Sequence, residues 1–418
     1  MRDLLRLDPR RAAVLLVVLL WLRMIGELVV LSFTTEKRFV PVGQEAPTSA
    51  SAHLVATALV LASTAFAAAV VAVNLNAITR VGLGRIGLFL SPWMYLLVRD
   101  AYAGHLDSTA ILFALVVLAL AALNAGLTVL RAVGVLTAIT AALALSMGVF
   151  FPQAAILHDL TGEMRVSDKA LFPNLGLLQG PFTSENNLAQ YLALGLPAVL
   201  LVSRRWLRWA SLVVVLVAIG WSSSRSGILT AGVVLAVAAV LGPLSRLGWR
   251  RTVHLTTAVV VGLLALVGTV LPFLPWPPEA FTERALIWQG SATAWSTHGE
   301  LFGLGTQWFT EVGGTVTSPL NDAAYHAHNQ FLQLSVTGGL ALVAVATVWL
   351  TAVTFVTTHP GSPVQLPAAL TVVAVVVSGY LEVPVGFVDR WQFWGVTAVP
   401  LAAAFFSADR IWRWGDLR

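Results

Sequence analysis

The stretch Tyr325-His326-Ala327-His328-Asn329-Gln330-Phe331-Leu332 sets two imidazoles and an amide where a long polar loop runs into an apolar helix. The ordinary histidine pKa lies nearest neutral pH, so either ring can take or give a proton without an external trigger. Three readings fit. A zinc site would draw on Asp322 as a third ligand, although neither the spacing nor the absence of cysteine favours it. The histidines could sit at the membrane interface with no reaction to perform. Alternatively, one of them is a general base at the mouth of a cavity, with arginines supplying positive charge for a phosphate leaving group. Residues two apart on a helix do not face each other, so one histidine, His328, would be the base and His326 would orient it or contact substrate.

Two arginines could complete such a site. Arg225, in Ser222-Ser223-Ser224-Arg225-Ser226-Gly227, lies between two apolar spans, where a guanidinium is costly unless it is paired or lines a wet cavity. Its fork of donors suits a phosphate, and the competing reading is snorkelling toward lipid headgroups. Arg284 is the sole arginine or lysine in a loop that is otherwise acidic. It could bind an anionic ligand or pair with Glu279 or Glu283. Arg23 and Glu27, four apart in the first span, read as a structural pair on one helix face. The remaining histidines, such as His53, His254 and His359, sit singly near span ends or in loops and read as surface residues.

The elements that must carry these residues are membrane helices. Of 418 residues, 57% are hydrophobic and 11% charged, and the mean hydropathy is +0.82, which predicts an all-α integral membrane protein. Apolar runs occur at about 11–33, 52–73, 83–98, 107–127, 132–150, 187–203, 206–223, 227–244, 252–275, 329–357, 364–381 and 391–409, twelve in all. No soluble insertion of domain size separates them, so residues 1–418 read as one polytopic domain. With both termini inside, the inner loops hold 16 of the 25 lysines and arginines, and most acidic residues fall outside. That is the asymmetry the positive-inside rule requires. The formal charge of +5 therefore reports orientation and not nucleic-acid binding. With no cysteine, disulfides, thiolate metal sites and cysteine nucleophiles are excluded.

Two outer loops are long enough to be functional: 151–186, and 276–328 between the ninth and tenth spans. The second has Trp288, Ala292 and Trp295 at helical spacing, which predicts a short helix with its tryptophans at the bilayer interface.

Taken in order, several motifs resemble the O-antigen ligase and polymerase superfamily. They are Gly180-Pro181-Phe182 with Asn186-Asn187, Ser224-Arg225-Ser226-Gly227, Glu283-Arg284 with Phe302-Gly303-Leu304-Gly305, and His326-Ala327-His328-Asn329. The resemblance implies a metal-independent, cofactor-free glycosyltransferase of the GT-C type in the bacterial plasma membrane, its active site facing the periplasm. It would move a glycan from undecaprenyl pyrophosphate to the hydroxyl of an acceptor glycan or glycolipid. Arg225, followed four positions later by Leu229, would bind pyrophosphate, Arg284 would match the family's loop arginine, and His328 would deprotonate the acceptor with inversion at the anomeric carbon. Asn186, Asn187 and Asn329 are candidate substrate contacts. After Gly338 and Gly339 the chain continues Leu340-Ala341-Leu342, a departure from the small or polar residue of the ligase form. A polymerase extending carrier-linked repeats is the alternative within the class. A secondary transporter or lipid-linked glycan flippase is the alternative outside it, although the span midplanes carry almost no charge.

Overall fold

The computed structural model describes residues 8–36, 48–105, 108–159, 162–165, 167–313, 324–387 and 391–407. Among them the regular structure is helical: α1 (Pro9–Thr34), α2 (Ala50–Val73), α3 (Leu75–Val81), α4 (Leu83–Tyr102), α5 (Ser108–Leu123), α6 (Gly126–Phe150), the single turn α7 (Pro152–Ala155), α8 (Glu185–Val199), α9 (Arg205–Ser222), α10 (Arg225–Arg246), α11 (Arg250–Val270), α12 (Arg284–His298), α13 (Gln330–Thr357), α14 (Gln365–Ser378) and α15 (Ala398–Phe406). Extended structure among the described residues is limited to two isolated bridges, Ile156 with Leu178 and His158 with Met164. Asp322 lies outside the described residues.

Seven helices among the described residues are long and apolar enough to cross a membrane: α1, α2, α6, α9, α10, α11 with its 3-10 extension to Phe273, and α13. Their outward faces carry Leu54, Leu61, Leu263 and Leu266 in the open, the surface of a protein whose solvent on that side is lipid. The chain is thus an all-α, multi-span membrane protein. The other predicted spans fall on shorter or more polar helices. At about 1.5 Å per residue, α8, α14 and α15, with 15, 14 and 9 residues, are shorter than a hydrocarbon core of about 30 Å. All three are buried along almost their whole length, and each is packed among its neighbours. A helix that is apolar on every side belongs in the interior, and that pattern reads the same in sequence as a lipid-facing span. The turn between α5 and α6 falls at 124–125, so Arg131 lies inside α6 and not in a loop before it.

α13 is two helices joined at a break. Gly339 has φ 66° and ψ −168°, a conformation that only glycine holds cheaply. The backbone groups freed by the break are taken up by the loop after α12. Leu304 and Gly305 donate to the carbonyls of Val336 and Thr337 at 2.6 and 3.1 Å, while Leu340 and Ala341 donate to Glu300 and Leu301 at 2.9 and 3.1 Å. Irregular backbone is tolerated at membrane depth only when protein satisfies it, and here a neighbouring loop does so. From α4, Tyr95 donates to the Gly338 carbonyl at 2.8 Å, and Arg99 to those of Phe302 and Gly303. Asp100 holds Arg99 at 3.1 Å and accepts a hydrogen bond from Thr306 at 2.5 Å.

Candidate active site

The site is assembled at the start of α13. Asn329 is fully buried and caps this helix: its Oδ1 accepts from the Phe331 and Leu332 backbone at 3.0 and 2.9 Å. Its Nδ2 donates to the carbonyls of Gly268 and Tyr380 at 3.2 and 3.1 Å. The hydrogen-bonding capacity of this amide is used within the protein, so Asn329 acts by positioning the residues beside it. The two histidines precede the helix and do not lie on it. His328 has φ 48°, in the left-handed region, and its backbone N–H donates to His326 Nδ1 at 3.1 Å. This fold brings the two rings to 4.0 Å between centroids, so they do face each other, contrary to the helical expectation.

Arg284 begins α12 after three consecutive left-handed residues, Phe281, Thr282 and Glu283, with φ of 56, 62 and 66°. Left-handed geometry costs about 1–2 kcal/mol per non-glycine residue, and aromatic packing holds the turn in place. Phe281 lies against Trp276 and Trp288 at 4.9 and 5.2 Å between centroids. Trp288 is completely buried in a cluster with Phe309, Ala327 and Leu332. The predicted helix is therefore present, but Trp288 anchors it to the protein and not to the bilayer interface.

The residue that joins these parts is Glu382, only 2% exposed. Its Oε1 meets Arg284 Nη2 at 2.5 Å, and its Oε2 lies 3.5 Å from His328 Nδ1. Arg284 is thus paired, but with Glu382 and not with Glu279 or Glu283. A buried carboxylate needs a compensating charge, and the arginine fork supplies it. Nδ1 of His328 is the ring atom nearer the carboxylate; closing that gap to a hydrogen bond would place the proton on Nδ1 and leave Nε2 to accept one, as in acid–imidazole pairs. Glu382 was legible in principle. It is the sole acidic residue between Asp322 and Asp389 and ends an apolar run, the criterion that singled out Arg225.

His326, His328 and Glu382 could present three metal-ligand atoms within 4.8 Å of one another. Two features of the donor set oppose a metal. The His328 backbone N–H occupies the Nδ1 lone pair of His326, which leaves the neutral ring's proton on Nε2, and Arg284 already neutralises Glu382. The cluster is better built to move a proton than to hold a cation.

Arg225 stands at the first turn of α10 with its side chain exposed. Beside it, Ser224 donates to Asn186 Oδ1 at 2.8 Å. Asn187 donates its backbone N–H to the capping Ser184 at 3.1 Å and its side-chain amide to Thr183 at 3.3 Å. Residues 169–175 fold over this corner. Leu171 donates to Ser223 Oγ, Trp221 donates to the Leu175 carbonyl, and Lys169 pairs with the buried Glu185.

Arg225 and His328 belong to the same end of the bundle, joined by a continuous chain of bonds. One turn after Asn186 on α8, Gln190 donates to Ser378 at 3.1 Å. The segment that follows Ser378 is the strut of the site. Gly379 accepts from the Gln330 backbone at 2.8 Å, Tyr380 accepts from Asn329, Glu382 meets Arg284 and His328, and Val385 donates to Gln330 Oε1 at 2.9 Å. No family model matches the chain, and the search of curated proteins found no similar one.

Proposed function

We propose that the protein is a glycosyltransferase of the GT-C type, similar to O-antigen ligases. In this reading it takes a glycan from undecaprenyl pyrophosphate and places it on an acceptor hydroxyl. The chain would cross the bacterial plasma membrane twelve times, with both termini cytoplasmic and the histidines at the periplasmic face.

The observation that carries this reading is the geometry around Glu382, with a histidine on one carboxylate oxygen and an arginine on the other. Pyrophosphate is already a good leaving group, so such a reaction needs a base for the acceptor, cations for the phosphate and correct placement of both. His328 Nε2 takes the acceptor's hydroxyl proton as the acceptor oxygen bonds to the anomeric carbon. The bond from that carbon to the phosphate oxygen breaks on the opposite face, and the carrier pyrophosphate leaves with the electron pair. Arg284 and Arg225 stabilise its charge.

A second feature suits a lipid-linked donor. A mostly apolar groove of about 360 Å³ runs between α11, α13 and α14, lined by Val261, Ala265, Leu334, Val343 and Leu350. Gln330, two residues from His328, is among its lining residues. A transporter would share the broken α13. Here, however, the loop at 300–305 saturates backbone groups on both sides of the break, leaving them unavailable to a substrate.

The test is transfer by protein in nanodiscs from a polyprenyl-pyrophosphate oligosaccharide to candidate acceptors, with product linkage read by NMR. Transfer with inverted anomeric configuration is expected, and retained configuration would contradict the displacement. A carrier-linked repeat serving as the sole working acceptor would make the protein a polymerase. Movement of the donor across the bilayer without transfer would make it a flippase.

A further inference from the structure

Glu382 touches two groups that the proposed reaction uses at different moments, and it is too deeply buried to be without a partner. Arg284 keeps 13% of its side chain exposed and His328 keeps 26%, so both can reach a ligand that Glu382 cannot. A phosphate offers the Arg284 fork the same bidentate geometry as a carboxylate, with more charge. When the arginine turns to such a ligand, the remaining N–H donor beside Glu382 is the neutral His328 ring through Nδ1, already at 3.5 Å. The adjoining backbone is held by Asn329 and Gln330 to Tyr380 and Gly379, so the ring and the carboxylate cannot easily drift apart.

We propose that Glu382 is the positioning residue for His328 and is shared with Arg284, so that pyrophosphate binding at Arg284 releases the carboxylate to fix His328 as the base. This rests on the glycosyltransferase reading above and adds a coupling to it: the base is oriented only when the donor headgroup is in place. The charged groups involved are Arg284 on α12, His326 and His328 before α13, and Glu382 after α14. The coupling would keep an unoccupied site from activating water or an acceptor prematurely.

The experiment compares wild type with Glu382→Gln, measuring inorganic pyrophosphate binding together with kcat and donor KM. Removing the carboxylate's charge frees Arg284, so pyrophosphate should bind several-fold more tightly while kcat falls by about 100-fold or more for want of an oriented base. A residue that merely supported the fold would weaken both. Weaker pyrophosphate binding in a folded Glu382→Gln protein, or an unchanged kcat, would overturn the proposal. Should that variant fail to fold, wild type labelled with ¹⁵N-histidine gives the same decision. Saturating pyrophosphate should shift the His328 signals toward the Nδ1–H tautomer, and an unaltered spectrum would overturn the coupling. The two ideas fail separately. If His328→Ala abolishes transfer and Glu382→Gln does not, the coupling is wrong and the enzyme reading survives. If pyrophosphate shifts the histidine but no glycan is transferred, the converse holds.

Discussion

Arg284 is held by Glu382 and, in the proposed reading, also binds the donor, and substitutions at the two arginines should separate those roles. Arg284→Ala leaves a carboxylate buried without its main counter-charge, a change that costs about 3–5 kcal/mol. Thermal unfolding in detergent should show a clear loss of stability, partly restored in the Arg284→Ala, Glu382→Ala double variant. Arg225 is exposed, so Arg225→Ala should change stability by less than about 0.5 kcal/mol. Its expected effect is on donor affinity, with binding of polyprenyl pyrophosphate weakened by about 10-fold, the worth of one charge-assisted contact in a partly wet site. Equal binding by Arg225→Ala and wild type would remove it from the donor site. These residues differed in how readily they could be read. His328, Arg225 and Arg284 stand out because charge or imidazole beside apolar runs is rare. Glu382 meets the same criterion, but its role was hidden because its partners are 54 and 98 positions away, and no local spacing reports a pairing that only the tertiary fold creates.

Among the elements, α13 with the loop at 299–306 is the least ordinary part. A Cβ on Gly339 would lie 2.4 Å from the Leu301 backbone, in a conformation already unfavourable for any other residue. Gly339→Ala should therefore destabilise the protein by at least about 1–3 kcal/mol. Gly232, on an exposed face of α10 with open space around it, is the control. There the same change should be neutral or stabilising by up to about 1 kcal/mol. Comparable unfolding temperatures for the two variants would show that the break is not set by Gly339. Hydropathy locates helices well, and the predicted and observed limits of α1, α2, α9 and α10 agree to within two residues at each end. It says nothing of the break, because the stretch around Gly338 and Gly339 is apolar enough to read as one span. Nor does it distinguish α8 and α14 from lipid-facing helices, since lipid and protein interior select the same residues.

For the whole molecule, the central feature is that two segments far apart in sequence lie at one end of the bundle, connected through α8. The Ser224-Arg225 turn reaches the His328 cluster through Asn186, α8 and the segment after Ser378. In the proposed topology this end faces the periplasm. The absence of cysteine makes that easy to test, because a single introduced thiol is the sole target for a maleimide. Ser296→Cys, exposed on α12, should be labelled by an impermeant reagent in spheroplasts, and Ser203→Cys, exposed at the opposite end of α8, only after permeabilisation. The reverse pattern would invert the topology. Charge asymmetry supports this orientation because lysine and arginine resist translocation, and that signal survives whatever the bundle does internally.

The most direct measurement is single-turnover glycan transfer by purified protein in nanodiscs, comparing wild type with His328→Ala at saturating polyprenyl-pyrophosphate oligosaccharide and acceptor. With His328 as the base, the rate falls by about 100- to 10,000-fold while donor binding and the unfolding temperature stay close to wild type. A folded His328→Ala protein that transfers glycan at the wild-type rate would contradict the account.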